Sequence, residues 1–326
     1  MQALVTGASG FIGGFLVQHL LDQGMDVKCL MRKTSMRSHL PVNRIRICEG
    51  SLQDRESLQA AVKGIDIVFH LAGATKALSR EDFFRINAGG TENLLEACRQ
   101  ANRRISRFVL VSSLAAAGPS PGPEGIDETV APHPVSHYGR SKLEAERIAT
   151  KYGREMPVTI VRPPVVYGPR DRDVYQYFKQ VSWGVALQLG RAERYFSIIH
   201  VHDLVEGIFR AGTEAVAAGR TYFLTNAKPE SWQGLGKMIA HAVGKEPVPI
   251  ILPEVSATVV AIFSEALARI TRKPPLLGFD KIREMREKYW VCKGELAQKE
   301  LGFVPKIPID EGLEQTARWY RDNGWL

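Results

Sequence analysis

Tyr138 and Lys142 are the two residues of this sequence whose types and spacing best suit acid–base chemistry. Side chains four residues apart lie on the same face of a helix, and the segment LEAER over 143–147 favours helix. A free tyrosine titrates near about 10, and a neighbouring ammonium group favours the phenolate and lowers that pKa. The pair therefore predicts a phenol that gives a proton to a carbonyl oxygen, or takes one in the reverse direction. An exposed helical pair is the alternative that the motif alone leaves open.

A glycine-rich stretch near the amino end, ALVTGASGFIGG over 3–14, indicates a strand that turns directly into a helix. Gly7, Gly10 and Gly13 punctuate the turn, and apolar residues at helical spacing follow it. Glycines at such a turn let a pyrophosphate approach the backbone, and the start of the helix offers free N–H groups and partial positive charge. The stretch therefore predicts a dinucleotide-binding turn, with an incidental glycine turn as the alternative.

Further apolar runs alternate with segments of helical pattern. The runs that have the length of buried strands are 27–30, 67–70, 108–111 and 158–162. This alternation predicts an α/β fold with a parallel, doubly wound sheet of the Rossmann type, whose ligand crevice opens at the carboxyl ends of the strands. Ser113 follows one of these strands, with Ser112 as the alternative serine of the site. The Gly- and Pro-rich segment 118–137 is long for a loop, which predicts a wall of the substrate pocket.

Three motifs resemble the extended short-chain dehydrogenases/reductases, the NAD(P)-dependent epimerase/dehydratase family. They are TGASGFIGG, the Y-x-x-x-K that begins at Tyr138, and RPPVVYGP over 162–169. The resemblance implies that Tyr138 is the general acid/base, that Lys142 holds the nicotinamide ribose and tunes the tyrosine, and that Ser113 hydrogen-bonds the substrate oxygen. It also implies that Asn87 steadies the central sheet and the active site.

The same resemblance implies which residues hold the cofactor. They come from the glycine turn, the ends of further strands and the helix of the tyrosine: Gly7, Ser9, Gly10, Phe11, Ile12, Gly13, Ser51, Leu52, Leu71, Ala72, Gly73, Tyr138, Lys142, Pro164, Val165 and Val166. Ser51 stands where the family usually has an aspartate that contacts the adenine.

The end of the second predicted strand indicates which dinucleotide binds. Met31 occupies the position at which members of the family that use NAD carry an acid, and Arg32 and Lys33 follow it. A carboxylate repels a 2′-phosphate, whereas a guanidinium binds it through paired charge-assisted hydrogen bonds. We therefore predict NADP(H) rather than NAD(H), with Arg32 as the chief phosphate ligand and Lys33 beside it. A solvated surface charge is the alternative for Arg32.

The resemblance also implies how the chain is divided. A dinucleotide-binding domain covers residues 1–165 and is rejoined by about 197–226, and a smaller C-terminal substrate-binding domain covers 166–326. The family implies a homodimer that packs two helices per subunit, one of them the helix of Tyr138.

Two apolar residues bear on the substrate. Sugar-nucleotide epimerases and dehydratases of the family carry an asparagine and an arginine near the substrate diphosphate, where this chain has Val165 and Phe196. Arg194 lies two residues from the second position, so a shift in register would restore that contact. A buried valine and phenylalanine cannot neutralise a diphosphate, and apolar surface stabilises an apolar substrate by roughly 25 cal/mol per Å² buried.

These residues predict an NADP(H)-dependent oxidoreductase that acts on a hydrophobic secondary alcohol or ketone. The tail resembles the branch of dihydroflavonol reductases and 3β-hydroxysteroid dehydrogenases through 252–270, 272–276, 289–290 and 300–303. An NAD(P)-dependent sugar-nucleotide epimerase or dehydratase is the alternative function. A non-catalytic protein that senses dinucleotide is a third, although such relatives often lack the tyrosine or the lysine.

Composition limits the classes of function. The 326 residues are 44% hydrophobic and 24% charged, as in an ordinary globular protein. The first strand begins at residue 3 and no apolar run reaches the roughly 18 residues of a spanning helix, so we expect no signal peptide, no membrane span and a cytoplasmic location.

The apolar residues of 255–263 predict a pocket lining, a contact with a membrane surface, or core packing. The net charge of +8 favours anionic ligands. Nucleic-acid binding is not predicted, because the sequence lacks a basic patch with interleaved aromatic residues.

The cysteines and histidines do not predict a metal site. The four cysteines have no paired spacing, so Cys29, in a predicted strand, and Cys98, on a predicted helix, are expected to be buried thiols. His200 and His202 alternate as strand residues do, but no third ligand lies near them in sequence.

Overall fold

The computed structural model describes residues 1–275 and 277–326, and Leu276, a residue of the tail segment 272–276, lies outside this part. The strands in chain order are β1 (Gln2–Thr6), β2 (Asp26–Met31), β3 (Arg46–Glu49), β4 (Ile67–His70), β5 (Arg107–Val111), β6 (Val158–Arg162), β7 (Val165–Tyr167), β8 (Val185–Leu189), β9 (Tyr195–Phe196), β10 (Ile198–His200), β11 (Thr221–Phe223), β12 (Glu230–Ser231), β13 (Val248–Leu252) and β14 (Tyr289–Trp290).

Most of these strands are joined by helices. The helices are α1 (Phe11–Asp22), α2 (Arg55–Val62), α3 (Arg80–Phe83), α4 (Gly90–Ala101), α5 (Leu114–Ala117), α6 (His137–Tyr152), α7 (Tyr175–Ser182), α8 (Val201–Thr213), α9 (Trp232–Val243), α10 (Glu254–Thr271), α11 (Phe279–Arg286), α12 (Glu295–Leu301) and α13 (Ile309–Asp322). A π-helical turn, Phe84–Gly89, joins α3 to α4, and a 3₁₀ turn, Ala215–Ala217, follows α8.

A seven-stranded sheet forms the centre of the fold, in the order β11-β6-β5-β4-β1-β2-β3. All of its strand pairs are parallel. One face packs on α1 and α8 around residues such as Leu16 and Leu204, and the other packs on α2, α4 and α6 around residues such as Leu58 and Leu94. Because both faces are covered, β4, β5 and β6 are buried along their whole length. The predicted doubly wound α/β fold is confirmed.

The order of the strands reverses between β1 and β4, and this reversal fixes where a ligand can bind. From β1 the chain proceeds to β2 and β3 on one side, and then returns to β4, β5 and β6 on the other. The loops after β1 and β4 therefore leave in opposite directions and open a crevice at the carboxyl ends of the strands.

The second half of the chain builds a smaller body beside the large sheet. Its core contains Tyr167, Phe178, Leu235 and Tyr320 from β7, α7, α9 and α13. Three small sheets accompany it: β10 with β7, β12 with β9 and β14, and β13 with β8. In chain order, β11 returns to the large sheet and pairs with β6. The smaller body is therefore built on chain segments that leave the large sheet and come back to it. The boundaries proposed for the two domains stay a prediction.

The structure shows where the cysteines and histidines named in the sequence analysis lie. Cys29 and Cys98 are buried free thiols, as predicted. The expectation of a strand through His202 is wrong, because α8 begins at Val201 and the ring of His200 caps it by accepting from the N–H of His202. Within the described residues, no group of three or more His, Cys, Asp or Glu side chains is arranged to hold a metal ion.

Candidate active site

A cavity of about 1940 Å³ opens at the carboxyl ends of the central strands. It brings together segments far apart in sequence, including the glycine-rich turn, the end of β5 and the start of α6. The predicted site residues that line it are Gly7, Ser9, Gly10, Phe11, Ile12, Gly13, Leu71, Gly73, Ser113, Tyr138, Lys142, Pro164, Val165 and Val166. The structure thus gathers all three predicted catalytic residues and the glycine turn at one place.

The remaining predicted cofactor residues lie outside this cavity. Arg32, Lys33 and Ser51 line a separate cavity of about 320 Å³ at the ends of β2 and β3. Leu52 is buried against the backbone of α4, and Ala72 packs on the core under α2, α4 and α6, and neither residue lines these two cavities. Their role as cofactor contacts stays a prediction.

The glycine-rich turn has no room for larger residues. Gly7 has a positive φ of 78°, and a Cβ placed on it would lie 2.7 Å from the backbone nitrogen of Ala72. A Cβ on Gly13 would lie 2.1 Å from the carbonyl oxygen of Gly7, so α1 approaches β1 as closely as glycine permits. Gly10 is the N-cap of α1, and no side chain of the described residues caps that helix. Its first N–H groups are therefore available to phosphate oxygens, and the turn fits a dinucleotide.

Asn87 joins the turn after β4 to the helix of the tyrosine. Its Oδ1 accepts from the N–H of Ala74 at 2.7 Å, and its Nδ2 donates to the carbonyl of Ala74 at 3.0 Å and to Ser141 Oγ at 2.8 Å. It lies in the π-helical turn, a rare local structure that often occurs at functional sites. These bonds hold α6 at a fixed distance from the sheet.

Tyr138 lies half-buried at the start of α6, with its ring 6.1 Å from that of Phe83. Burial raises the pKa of its phenol to about 12, and the hydrogen bond of Ser113 opposes this shift. Ser113 follows β5, and its Oγ accepts from the N–H of Ala115 at 3.1 Å. The hydroxyl groups of Ser113 and Tyr138 are therefore neighbours that face the cavity.

Lys142 is buried one turn further along α6, and its Nζ donates to the carbonyl of Val111 at 2.8 Å. Burial lowers its pKa to about 8, while the carboxylate of Glu146 acts in the opposite direction. Burial raises the pKa of Tyr138, which is opposite to the direction expected from this lysine, and the tuning of the phenol by Lys142 stays a prediction. At neutral pH the phenol is protonated and the ammonium group remains mostly charged.

Ser112, the alternative serine, takes part in a hydrogen-bond network of buried side chains. Its Oγ donates to the carboxylate of Glu146, which also forms two hydrogen bonds with Arg162, from Nε at 3.0 Å and from Nη2 at 2.6 Å. All three side chains are buried. This network ties β5, β6 and α6 together. Ser112 also lines the cavity, but its hydroxyl proton is engaged by Glu146, which favours Ser113 as the serine of the site.

The amino end of α6 is held by residues that the sequence analysis missed. The carboxylate of Asp280, in α11, accepts from the backbone N–H groups of His137 at 2.6 Å and Tyr138 at 3.1 Å. Ser136 Oγ accepts from the N–H of Gly139 at 2.9 Å and donates to Glu284 at 2.7 Å. Ser136 carries a local N-cap signal in the sequence. Asp280 carries none, since it lies 142 residues beyond the tyrosine that it supports.

The loop 118–137 does not form the predicted wall of the pocket. Apart from His137, which begins α6, none of its described residues lines the cavity. It packs instead on the segment around β14: Ser120 donates to the carbonyl of Tyr289 at 3.3 Å, and Ile126 pairs with Cys292. The far wall of the cavity comes from α10 and α11, including Val260 and Phe279.

The two apolar residues at the substrate positions both line the cavity. Phe196 is buried, whereas Val165 is 39% exposed, so the expectation of a buried valine is wrong. Arg194 also borders the cavity, but its Nη2 pairs with Glu254 at 2.8 Å and its Nη1 donates to the carbonyl of Leu189. A shift in register would bring this guanidinium to a substrate diphosphate. The guanidinium is already bound by Glu254 and the carbonyl of Leu189.

A doubly wound sheet, a glycine turn at its switch point, and a tyrosine, lysine and serine in the adjoining cavity define an NAD(P)-dependent oxidoreductase. Comparison with known sequences gives the family. The sequence model of the NAD dependent epimerase/dehydratase family matches residues 3–224. The chain belongs to this family, as its motifs predicted.

Individual relatives match over nearly the full chain. The chain is 29% identical to a ceramide reductase from Caulobacter vibrioides (strain NA1000 / CB15N), covering 99% of this chain and 95% of the relative. It is 31% identical to a 3 beta-hydroxysteroid dehydrogenase/Delta 5-->4-isomerase from Mycobacterium tuberculosis (strain ATCC 25618 / H37Rv), covering 98% and 90%. The crystal structure of the UDP-glucose 4-epimerase of Thermus thermophilus in complex with NAD is similar with a TM-score of 0.80 and 25% identity, covering 98% and 99%.

Proposed function

We propose that this chain interconverts a hydrophobic ketone and its secondary alcohol with NADP(H). The observation that carries the proposal is the meeting of Tyr138, Ser113 and Lys142 with the glycine turn in one cavity. A nicotinamide bound there supplies or accepts the hydride. The residues of the chain hold the substrate oxygen and move its proton.

Tyr138 is the proton donor for reduction. Its raised pKa keeps the phenol protonated at neutral pH, which is the form needed to give a proton to the oxygen of a carbonyl. Ser113 accepts from the backbone of α5, which fixes its oxygen beside the phenol and leaves its own proton for the substrate oxygen. Lys142, held by the carbonyl of Val111, keeps its remaining protons for the hydroxyls of the cofactor.

Several residues in the walls of the cavity favour an apolar substrate. Val165 and Phe196 stand where a diphosphate would need an amide and a cation, and Arg194 is engaged by Glu254. Leu187 and Val260 add apolar surface to the lining of the cavity. The names of the ceramide reductase and hydroxysteroid dehydrogenase relatives, both of which denote apolar substrates, favour the same class.

The assay that tests this function follows the absorbance of reduced nicotinamide. With NADPH and a series of ketones of increasing apolar size, we expect net oxidation of the cofactor and a kcat/KM that rises with chain length. A sugar-nucleotide epimerase returns its hydride to the same substrate and gives no net change. Interconversion of nucleotide sugars without net oxidation would overturn the proposal and support the alternative that the similarity to the epimerase structure favours.

The preference for NADP(H) rests on the smaller cavity. Neither Arg32 nor Lys33, both exposed, forms an ion pair within the described part. The two acids of that cavity are engaged, Glu49 by Arg37 at 3.1 Å and Asp54 as the N-cap of α2. Arg32 and Lys33 have no ion-pair partner in the described part, and the neighbouring carboxylates already have partners. This arrangement suits a phosphate group.

Replacing Arg32 by alanine is expected to weaken NADPH binding by about tenfold to a hundredfold, the loss of charge-assisted hydrogen bonds. NADH binding should change little, because NADH lacks the 2′-phosphate. Dissociation constants from fluorescence titration measure both. Arg44→Ala, an exposed arginine outside the cavity, is the matched control. Tighter binding of NADH than of NADPH by the unaltered chain would contradict the assignment.

A further inference from the structure

Helix α10 turns its large apolar side chains toward solvent. The residues concerned follow the period of a helix and form what we call the outer face of α10: Val255, Val259, Ile262, Phe263, Leu267 and Ile270. Each is between 45% and 81% exposed. Of the three alternatives for this segment, core packing is therefore wrong for these residues, and a pocket lining holds for Val260, which borders the cavity.

The opposite face of α10 is made of small residues. Ala257, Ala261 and Ala268 are buried, and Ala257 and Ala261 form a small cluster with Ile282 of α11. An ordinary surface helix has the reverse arrangement, with bulky apolar residues inside and polar residues outside. A contiguous apolar face of this kind marks a contact with another apolar surface.

The apolar surface continues onto the strand that precedes α10. Val248, Ile250 and Ile251 of β13 are exposed. The N–H of Val248 bonds to the carbonyl of Gly184 at 2.9 Å, which brings the exposed indole of Trp183 to the same edge. A tryptophan beside aliphatic residues is typical of surfaces that meet the boundary between lipid and water.

Exposed cations flank this surface, with Glu246 before β13 as an exposed acid among them. Both acids of α10 are engaged: Glu254 pairs with Arg194 at 2.8 Å, and Glu265 accepts from the N–H of Phe279 at 2.9 Å. Arg272 and Lys273 are exposed at the end of the helix. The Nζ of Lys179 lies 4.9 Å from the centre of the Trp183 ring. The whole chain carries a net charge of +8, so the field around this face attracts an anionic surface.

We propose that the outer face of α10, together with β13 and Trp183, docks onto an anionic phospholipid bilayer. No helix of the described residues is long and apolar enough to cross a membrane. In the proposed docking, the exposed apolar side chains place α10 along the interface. Ala257 and Val260 of the same helix line the cavity, which places the active site directly behind the lipid contact. The docking goes beyond the proposed function and does not depend on it.

Sedimentation with vesicles tests the docking without substrate or cofactor. The unaltered chain is expected to sediment with vesicles of phosphatidylglycerol and phosphatidylcholine, and much less with phosphatidylcholine alone. The double variant Phe263→Glu/Ile270→Glu removes two bulky groups and adds negative charge, and should bind at least about tenfold more weakly. Val304→Glu, at another exposed apolar position away from α10, is the control and should bind normally. Circular dichroism checks that each variant is folded.

Three results would overturn the docking. The unaltered chain fails to bind anionic vesicles, it binds both kinds of vesicle equally, or the double variant binds as well as the control. If the double variant instead becomes monomeric by light scattering while the unaltered chain is an oligomer that ignores vesicles, the face joins two copies and the proposal is wrong. Loss of ketone reduction with vesicle binding intact would refute only the proposed function.

Discussion

Replacing Tyr138 by phenylalanine is expected to lower kcat by about 10²–10⁴-fold, the usual contribution of a positioned general acid. The aromatic ring and its contact with Phe83 remain, so the helix and cavity keep their shape. NADPH binding should change little, because only the hydroxyl of Tyr138 is lost and the glycine turn and Lys142, which are also predicted to hold the cofactor, are untouched. Steady-state kinetics with a ketone and a direct titration of NADPH measure the two quantities separately.

A second tyrosine of the same helix provides the control for this result. Tyr152 lies at the far end of α6, and its hydroxyl donates to Glu96 at 3.0 Å, outside the cavity. Tyr152→Phe loses the same hydroxyl group and should retain full turnover. If Tyr138→Phe turned over ketone as fast as Tyr152→Phe, the proton would come from another group and the proposed role of Tyr138 would be refuted.

Replacing Glu146 by glutamine is expected to lower the free energy of unfolding by about 3–5 kcal/mol, as when one partner of a buried ion pair is removed. The side chains of Arg162 and Glu146 are 7% and 4% exposed, so the guanidinium would keep its charge in a buried place without the carboxylate of its ion pair. Ser112 would also lose the anionic acceptor of its hydrogen bond. Urea denaturation followed by circular dichroism gives the change in stability.

Glu144 of the same helix is the matched position. Its pair with Arg147, at 3.4 Å, joins side chains that are 36% and 64% exposed, so Glu144→Gln should change stability by only about 0–1 kcal/mol. Equal effects of the two substitutions would mean that the buried pair does not stabilise the fold. The carboxylate of Glu146 also raises the pKa of Lys142, so its loss should lower that pKa further.

The parts of the site that could be predicted are those encoded by neighbours in sequence. The glycine turn is a strand, a turn and a helix in succession, and Tyr138 and Lys142 share one helical face, so a short pattern contains the geometry. Ser113 was found because a parallel sheet brings the ends of its strands to one edge. In each case the relevant distance is set by regular backbone structure.

The parts that could not be predicted depend on contacts between distant segments. The pKa of Tyr138 is set by burial under elements that include α11, and no local pattern records how deeply a phenol is buried. The loop 118–137 packs on β14 because of pairings such as that of Ile126 with Cys292, far apart in the chain. The apolar residues of 255–263 are evident in the sequence, but the sequence cannot say which side of α10 meets the protein.

The capping of α6 by Asp280 has a consequence for biosynthesis. Every group proposed to act on the substrate is translated within the first half of the chain, yet the backbone around Tyr138 receives its bonds from a residue made 142 positions later. A ribosome that has released only the amino-terminal half therefore carries the motif without its final support. The nascent chain must emerge almost to its end before the reactive hydroxyl is held in place, so prematurely terminated products would carry the motif without an ordered site.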